Sequence, residues 1–134
     1  MPKMSFASQK LKMARWIEKG LLKRNVRECR TLFLQDHWCC ANSLAMIGKF
    51  GSYKAAKEEA KKINSNFLLT DGVEISAKAL GVSGRLTARV NVLHLKRWFR
   101  ATMIVKLLRA EAKKAKRTWK PKPRQDWFNR GNKP

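Results

Sequence analysis

Acidic residues are scarce in this 134-residue chain, which holds nine Asp and Glu against 31 Lys and Arg, a formal net charge of +22. A compact protein with this much charge of one sign repels itself, and a polyanionic partner relieves that repulsion. Solubility alone needs a net charge of only about 2–8 for a small domain. The shortage of carboxylates therefore predicts binding to nucleic acid and favours it over a merely solvated surface.

Long apolar segments are also missing. No run approaches the roughly 20 apolar residues of a transmembrane helix, and the basic start lacks the apolar centre of a secretory signal peptide. Apolar residues Met13, Trp16, Ile17 and Leu21 recur at helical spacing among the lysines of this first segment. Two interpretations stay open, a mitochondrial presequence and a helix that packs on the core, and the second is favoured.

Cysteine and histidine are few. The three cysteines are Cys29, Cys39 and Cys40, an odd number, and the adjacent pair cannot readily bridge to each other. This usage predicts an intracellular reducing compartment: the cytoplasm, the mitochondrial matrix or the interior of a virion. No C-x-x-C pair is present, and the histidines are only His37 and His94. We therefore expect no metal site and no cofactor.

The positive charge is unevenly distributed along a chain of one-domain length. Residues 1–30 carry a net charge of +7, residues 31–95 of +3 and residues 96–134 of +12. We predict a basic amphipathic helical arm over 1–30, a compact α+β domain over 31–117 and an extended basic tail over 118–134. Basic ends around a near-balanced centre are typical of proteins threaded into RNA or packed DNA.

Hydrophobic periodicity predicts a helix-rich α+β fold. The predicted helices are 8–23, Cys39–Phe50 ended by Gly51, Tyr53–Ile63, 71–80 ended by Gly81, and 93–117. Asp71 and Glu74 form a capping-box-like start for the fourth helix. Thr31–Leu34 is predicted to be extended, and the alternating residues Leu86, Ala88, Val90 and Val92 predict a strand over Arg85–Val92. In 93–117, Leu95, Phe99, Met103 and Leu107 step by four, which favours helix over strand.

The segment Leu34–Ile47, LQDHWCCANSLAMI, is the most distinctive part of the chain. It resembles the start of the bacteriocin-processing (double-glycine) cysteine peptidases, a papain-like family in which a Gln precedes a Cys at a helix N-terminus. The matching positions are Gln35, Cys39, Ala41, Leu44 and Met46. The resemblance covers roughly residues 34–95 and implies a truncated papain-like scaffold.

The resemblance implies that Cys39 would be the nucleophile, with its thiolate favoured by the helix dipole, and that the Gln35 amide would stabilise the oxyanion. A histidine must then deprotonate the thiol. Three features depart from the family pattern. The gap from Gln35 to Cys39 is shorter than is usual in the family. Cys40 replaces the glycine that normally follows the nucleophile, and residues 109–117, where the family places its histidine, contain none. His94 falls too early, so the implied peptidase site is degenerate.

Two functions follow from these patterns, and a third, membrane-surface binding, ranks below them because the charge is spread over both ends. The favoured function is a non-catalytic structural protein of a large assembly, a ribonucleoprotein such as a ribosome or a virion interior. Its partners would be RNA or DNA and other proteins of the complex. The alternative is a cysteine peptidase that uses Cys39 and Gln35, with its base supplied by a partner chain. The predicted nucleic-acid contacts are Lys96, Arg97, Arg100, Arg109, Lys113, Lys114, Lys116, Arg117, Trp119, Lys120, Lys122, Arg124, Trp127 and Arg130.

Overall fold

The structure, a computed structural model, describes residues 4–29, 33–35, 37–66, 72–96 and 99–118, with side chains as far as residue 115. The helices in these ranges are α1 (Phe6–Leu21), α2 (Ala41–Phe50), α3 (Tyr53–Ile63), α4 (Gly72–Leu80), α5 (Gly84–Leu95) and α6 (Ala101–Thr118). Two short strands, β1 (Arg27–Glu28) and β2 (Trp38–Cys39), pair in parallel. The helix-rich α+β class predicted from the sequence is confirmed.

The helices with clear end signals lie where the sequence predicts them. Helix α2 ends at Gly51, which adopts a left-handed φ of 99° that favours glycine. The Ser52 hydroxyl then accepts a hydrogen bond from the Ala55 N–H at 3.1 Å and so begins α3. Helix α4 ends before Gly81, whose φ is 72°. The capping role predicted for Asp71 lies outside the described residues.

The strand predicted for Arg85–Val92 is wrong, because this segment lies within α5. The Ser83 hydroxyl accepts a hydrogen bond from the Leu86 N–H at 3.2 Å and begins the helix. Leu86, Val90 and Leu93 are buried, at the spacing of four and three that a helix face requires. Leu86 and Val90 fit both the alternating pattern of a strand and the spacing of a helix face. Packing against the core favours the helix.

Two further predictions need correction at the level of single residues. Leu34 has a left-handed φ of 51°, so the segment predicted as extended bends there, while residues 31 and 32 lie outside the described ranges. The helix predicted for 93–117 is divided, since α5 ends at Leu95 and α6 begins at Ala101. Leu95 and Met103, on the predicted apolar face, are 49% and 40% exposed. The buried residues of α6 are Ala101, Ile104, Val105, Leu108 and Ala112.

Helix α2 forms the centre of the fold and contacts α1, α3, α4 and α5. Its closest neighbour is α1, because a glycine stands on each helix where the two backbones meet. A Cβ atom on Gly48 would lie 1.8 Å from the Trp16 carbonyl oxygen, and one on Gly20 would lie 2.1 Å from that of Leu44. No such separation between non-bonded atoms is sterically allowed. The two helices can therefore pack at this distance only with glycine at both positions.

Helix α1 belongs to the same core as the rest of the described residues. Met13, Ala14 and Ile17 are fully buried in one cluster with residues of α2 and α6. This packing agrees with the preference for a helix that packs on the core. The helix within the predicted basic arm is therefore part of the packed core.

An ion-pair cluster joins α1, α5 and α6 around the Glu111 carboxylate. Arg89 donates two hydrogen bonds to it, and the Lys10 ammonium lies 2.9 Å from Oε1. The hydrogen bonds from Arg89 make the largest contribution to lowering the pKa of Glu111 from 4.5 to about 2, while burial opposes the shift. Glu111 therefore stays ionised in the folded chain at pH values where it is protonated in the unfolded chain.

This lowered pKa predicts loss of stability in acid. Ionised Glu111 makes its full contribution to the free energy of unfolding above the unfolded pKa of 4.5. That contribution is lost as the pH falls from there towards the folded pKa of about 2. Glu111→Gln removes the titrating group. The difference in melting temperature between the natural chain and this variant should therefore shrink between pH 6 and pH 2. A difference that stays constant over that range would show that Glu111 does not act in this way.

Candidate nucleic-acid interface

The outward face of α1 carries a row of cations. Lys12, Arg15 and Lys19 are exposed and follow each other at helical spacing, so they lie on one side of the helix. No carboxylate within the described ranges lies within 4.0 Å of their charged groups. A row of cations with no acidic partner is suited to a polymer with a charge at each repeat.

Glu18, the acidic residue of α1, is engaged elsewhere. Arg109 on α6 donates to both oxygens of Glu18, at 2.8 and 3.2 Å. This interaction lowers the pKa of Glu18 and raises that of Arg109. Within single helices, Glu59 pairs with Lys62 at 3.0 Å, and Glu74 with Lys78 at 3.8 Å. These three carboxylates of the described ranges therefore already have cationic partners.

Lys49 is a cation with a structural role. Its ammonium donates to the Ala79 and Leu80 carbonyl oxygens, at 3.0 and 3.3 Å, and so caps the C-terminal end of α4. It also lies 5.3 Å from the Trp16 ring centroid and 5.2 Å from that of Phe50. Burial is the main cause that lowers the pKa of Lys49. This ammonium therefore has a role in the fold, although the residue is exposed at the surface.

A surface cavity of about 390 Å³ opens beside the two strands. The residues described along its wall, which we call the β-strand pocket, are Arg24, Asn25, Arg27, His37 and Trp38. The Arg27 guanidinium carbon lies 5.3 Å from the Trp38 ring centroid, within cation–π range. Two guanidinium groups, an amide and two aromatic rings thus share one concave surface.

The backbone holds this pocket in a fixed shape. The Arg27 N–H donates to the His37 carbonyl oxygen at 2.9 Å, and Trp38 and Gln35 exchange backbone hydrogen bonds at 2.8 and 3.2 Å. His37 has a left-handed φ of 64°, which is uncommon for a residue other than glycine. Its ring is stacked on that of Tyr53, with the centroids 4.2 Å apart and an interplanar angle of 22°. Strained backbone of this kind clusters at functional sites.

The residues of the implied peptidase site do not form one in the described ranges. Cys39 lies in β2 and is fully buried, with its thiol 3.8 Å from the His37 carbonyl oxygen. Burial raises the pKa of Cys39 to about 12, so the thiolate is scarce near neutral pH. Helix α2 begins after Cys40, not after Cys39, and burial also raises the pKa of that thiol. Gln35 is exposed at the surface.

His94 is fully buried and has a structural role that the sequence does not reveal. Its Nδ1 accepts a hydrogen bond from the Ala41 N–H at 3.1 Å, at the start of α2. An imidazole that accepts at Nδ1 carries its proton on Nε2, which here lies 2.6 Å from Glu28 Oε2. The same carboxylate oxygen accepts the Ala101 N–H at 2.9 Å, at the start of α6. Both ring nitrogens are engaged, so neither faces a thiol as a base.

The predicted nucleic-acid contacts fall into four groups. Lys96, Arg100, Lys113 and Lys114 are exposed, as a phosphate contact requires. Arg109 forms a second group, because its exposed guanidinium donates to both oxygens of Glu18. The side chains of Lys116 and Arg117 are not described. The remaining predicted residues, Arg97, Trp119, Lys120, Lys122, Arg124, Trp127 and Arg130, lie outside the described ranges.

The predicted nucleic-acid contacts include neither the β-strand pocket nor the basic row on α1, although a basic amphipathic helix is predicted there. Lys12, Arg15 and Lys19 could have been found, because they lie opposite the apolar stripe that predicts the helix. The pocket left no comparable signal, since the strands that bring Arg27 beside Trp38 are two residues long. No group of three possible metal ligands occurs among the residues that the structure places.

Comparisons with known protein families, with curated proteins and with solved structures found no match. None of the described helices is both long enough and apolar enough to cross a membrane.

Proposed function

We propose that this chain is a non-catalytic structural protein that binds the phosphate backbone of nucleic acid within a larger assembly. The observation that carries the proposal is the row of exposed cations on α1, which has no described carboxylate within ion-pair distance. The nearby acid, Glu18, is taken up by Arg109. Such a row gains most by neutralising phosphates and releasing their counterions.

The burial of the cysteines supports a binding role over a catalytic one. Cys39 and Cys40 lie within the core with raised pKa values, and both nitrogens of His94 are hydrogen-bonded. Contacts from lysine and arginine to phosphate fix the position of a protein on its polymer and carry little sequence information. We therefore propose binding with weak sequence preference, alongside other proteins of the assembly and in a reducing compartment.

The salt dependence of binding tests this function. The logarithm of the affinity for a nucleic-acid fragment should fall linearly with the logarithm of the salt concentration, with a slope of about −0.7 per phosphate neutralised on a single strand. Arg15→Gln and Lys19→Gln should each reduce the magnitude of the slope by roughly one phosphate contact. Fluorescence anisotropy at several salt concentrations measures both quantities.

Lys62→Gln is the matched control for these variants. It removes the same charge from an exposed position, but from a lysine already paired with Glu59. Its slope should therefore change less than that of Arg15→Gln. Affinity that does not respond to salt, or equal slopes for the natural chain and Arg15→Gln, would contradict the proposal.

A further inference from the structure

We infer that the β-strand pocket takes one unstacked nucleotide of a single-stranded nucleic acid. The inference deepens the proposed function and rests on it. It concerns a second kind of contact, to a base as well as to a phosphate, at a place separate from the basic row on α1. Three features of the pocket support it: its aromatic surface, its cationic groups and its concave shape.

The aromatic surface is prepared for stacking. One face of the His37 ring is covered by Tyr53 at a centroid distance of 4.2 Å, and the exposed His37 side chain lines the pocket. A base placed on the open face of His37 would extend this two-ring stack to three. Base stacking on aromatic rings is the common way in which proteins hold unpaired nucleotides. Trp38 adds a second aromatic ring to the wall of the same cavity.

The cationic groups suit the phosphate of the same nucleotide. Arg24 and Arg27 are both exposed and line the pocket. The planar guanidinium presents paired donors that match the oxygens of a phosphate. Arg27 keeps its position over the Trp38 ring, so one of the two groups is already ordered before binding. The side-chain amide of Asn25 can both donate to and accept from the edge of a base.

The shape favours a single strand over a duplex. The cavity of about 390 Å³ lies near the lower end of the range of about 300–1,000 Å³ for small-ligand sites. A base inside a duplex is stacked on both faces and cannot enter such a cavity without being flipped out. An acidic peptide could pair with the arginines, but its carboxylates would leave the open face of His37 uncovered. A nucleotide uses both features at once.

The test compares two ligands that differ only in their bases. The first is a single-stranded thymidine decamer, and the second is an abasic decamer with the same number of phosphates. The full chain should bind the thymidine decamer more tightly, by about 5- to 150-fold for one stacked base. His37→Gly removes the ring at a position whose left-handed φ of 64° glycine adopts readily, so the variant should still fold. It should remove most of the preference for the decamer that carries bases.

Two charge variants complete the experiment. Arg24→Gln should weaken binding of the thymidine decamer more than that of the abasic decamer, because it disturbs the nucleotide in the pocket. Lys61→Gln removes one exposed charge on α3 and should weaken both ligands alike. Melting temperatures of all variants verify that each one is folded at the temperature of the binding measurement.

The outcomes separate this inference from the proposed function. Equal affinity for the two decamers, or an unchanged preference in His37→Gly, overturns the nucleotide site, while steep salt dependence still supports phosphate binding. Weak, salt-insensitive affinity for both decamers overturns both proposals. Tight binding of a decaglutamate peptide that depends on Arg24 and His37, without a preference between the decamers, would assign the pocket to an acidic protein partner and overturn the nucleotide site.

Discussion

Replacing Gly48 with alanine is expected to lower the free energy of unfolding by about 3 kcal/mol, at the upper end of the cost of overpacking. The added methyl group would lie 1.8 Å from the Trp16 carbonyl oxygen, so α1 must move away from α2. Both partners in this clash are backbone atoms, and no side-chain rotation can relieve it. The melting temperature should fall by roughly 10 °C, as measured by circular dichroism.

Gly84→Ala is the matched control, because it adds the same methyl group at another helical glycine. No atom lies within 4 Å of that methyl position, and the backbone is not left-handed there. Reduced flexibility of the unfolded chain should make this variant more stable by about 0.4–1 kcal/mol. If the two variants melt at the same temperature, the close approach of α1 and α2 is not a constraint on the fold.

Replacing His94 with alanine should lower the free energy of unfolding by about 3 kcal/mol, because it removes a hydrogen-bond partner from each of two polar groups. The Ala41 N–H at the start of α2 loses its acceptor, and the Glu28 carboxylate loses the His94 donor and keeps that of Ala101. Removing one member of a buried, hydrogen-bonded pair typically costs about 3–5 kcal/mol, and the 28% exposure of Glu28 places this case at the lower end. Denaturant unfolding curves measure the loss.

Two further variants show whether the hydrogen bonds cause that loss. In a double-mutant cycle of His94→Ala with Glu28→Gln, the coupling energy should reach about 1–3 kcal/mol. His37→Gly removes the other, exposed histidine and should leave the stability within about 1 kcal/mol, since glycine relieves the left-handed backbone there. If the losses of stability in the two single variants simply add in the double variant, His94 stabilises the fold only by filling space.

The sequence predicted the helices whose ends carry strong local signals. Helix α3 has the predicted bounds because Ser52 caps its start, and α2 ends at Gly51 because a left-handed residue is needed there. The error in α5 arose from a pattern that satisfies two periods at once. Leu86 and Val90 fit both an alternating strand and a helix, and only the capping by Ser83 and the burial of Leu93 separate the two.

The candidate sites depend on contacts between distant parts of the chain, which local patterns do not encode. His94 meets Ala41 across 53 residues and Glu28 across 66. A lone histidine in an apolar helix gives no sign of which backbone group it caps. The β-strand pocket likewise needs the parallel pairing of Arg27 with Trp38, which shows no repeat or spacing in the sequence. The excess of cations could be predicted from the composition. Only the ion pairs in the structure show which of these cations are neutralised.

Strand β1 sends two neighbouring side chains of opposite charge to opposite environments. Arg27 enters the β-strand pocket, while Glu28 reaches inwards to His94 and the start of α6. A shift of this strand by one residue would exchange the two, with a carboxylate in the pocket and a guanidinium facing the Ala101 N–H. The guanidinium would then face an N–H donor, which is repulsive. The register of β1 therefore determines two things at once: which residue lines the β-strand pocket and which residue bonds to His94 and the start of α6.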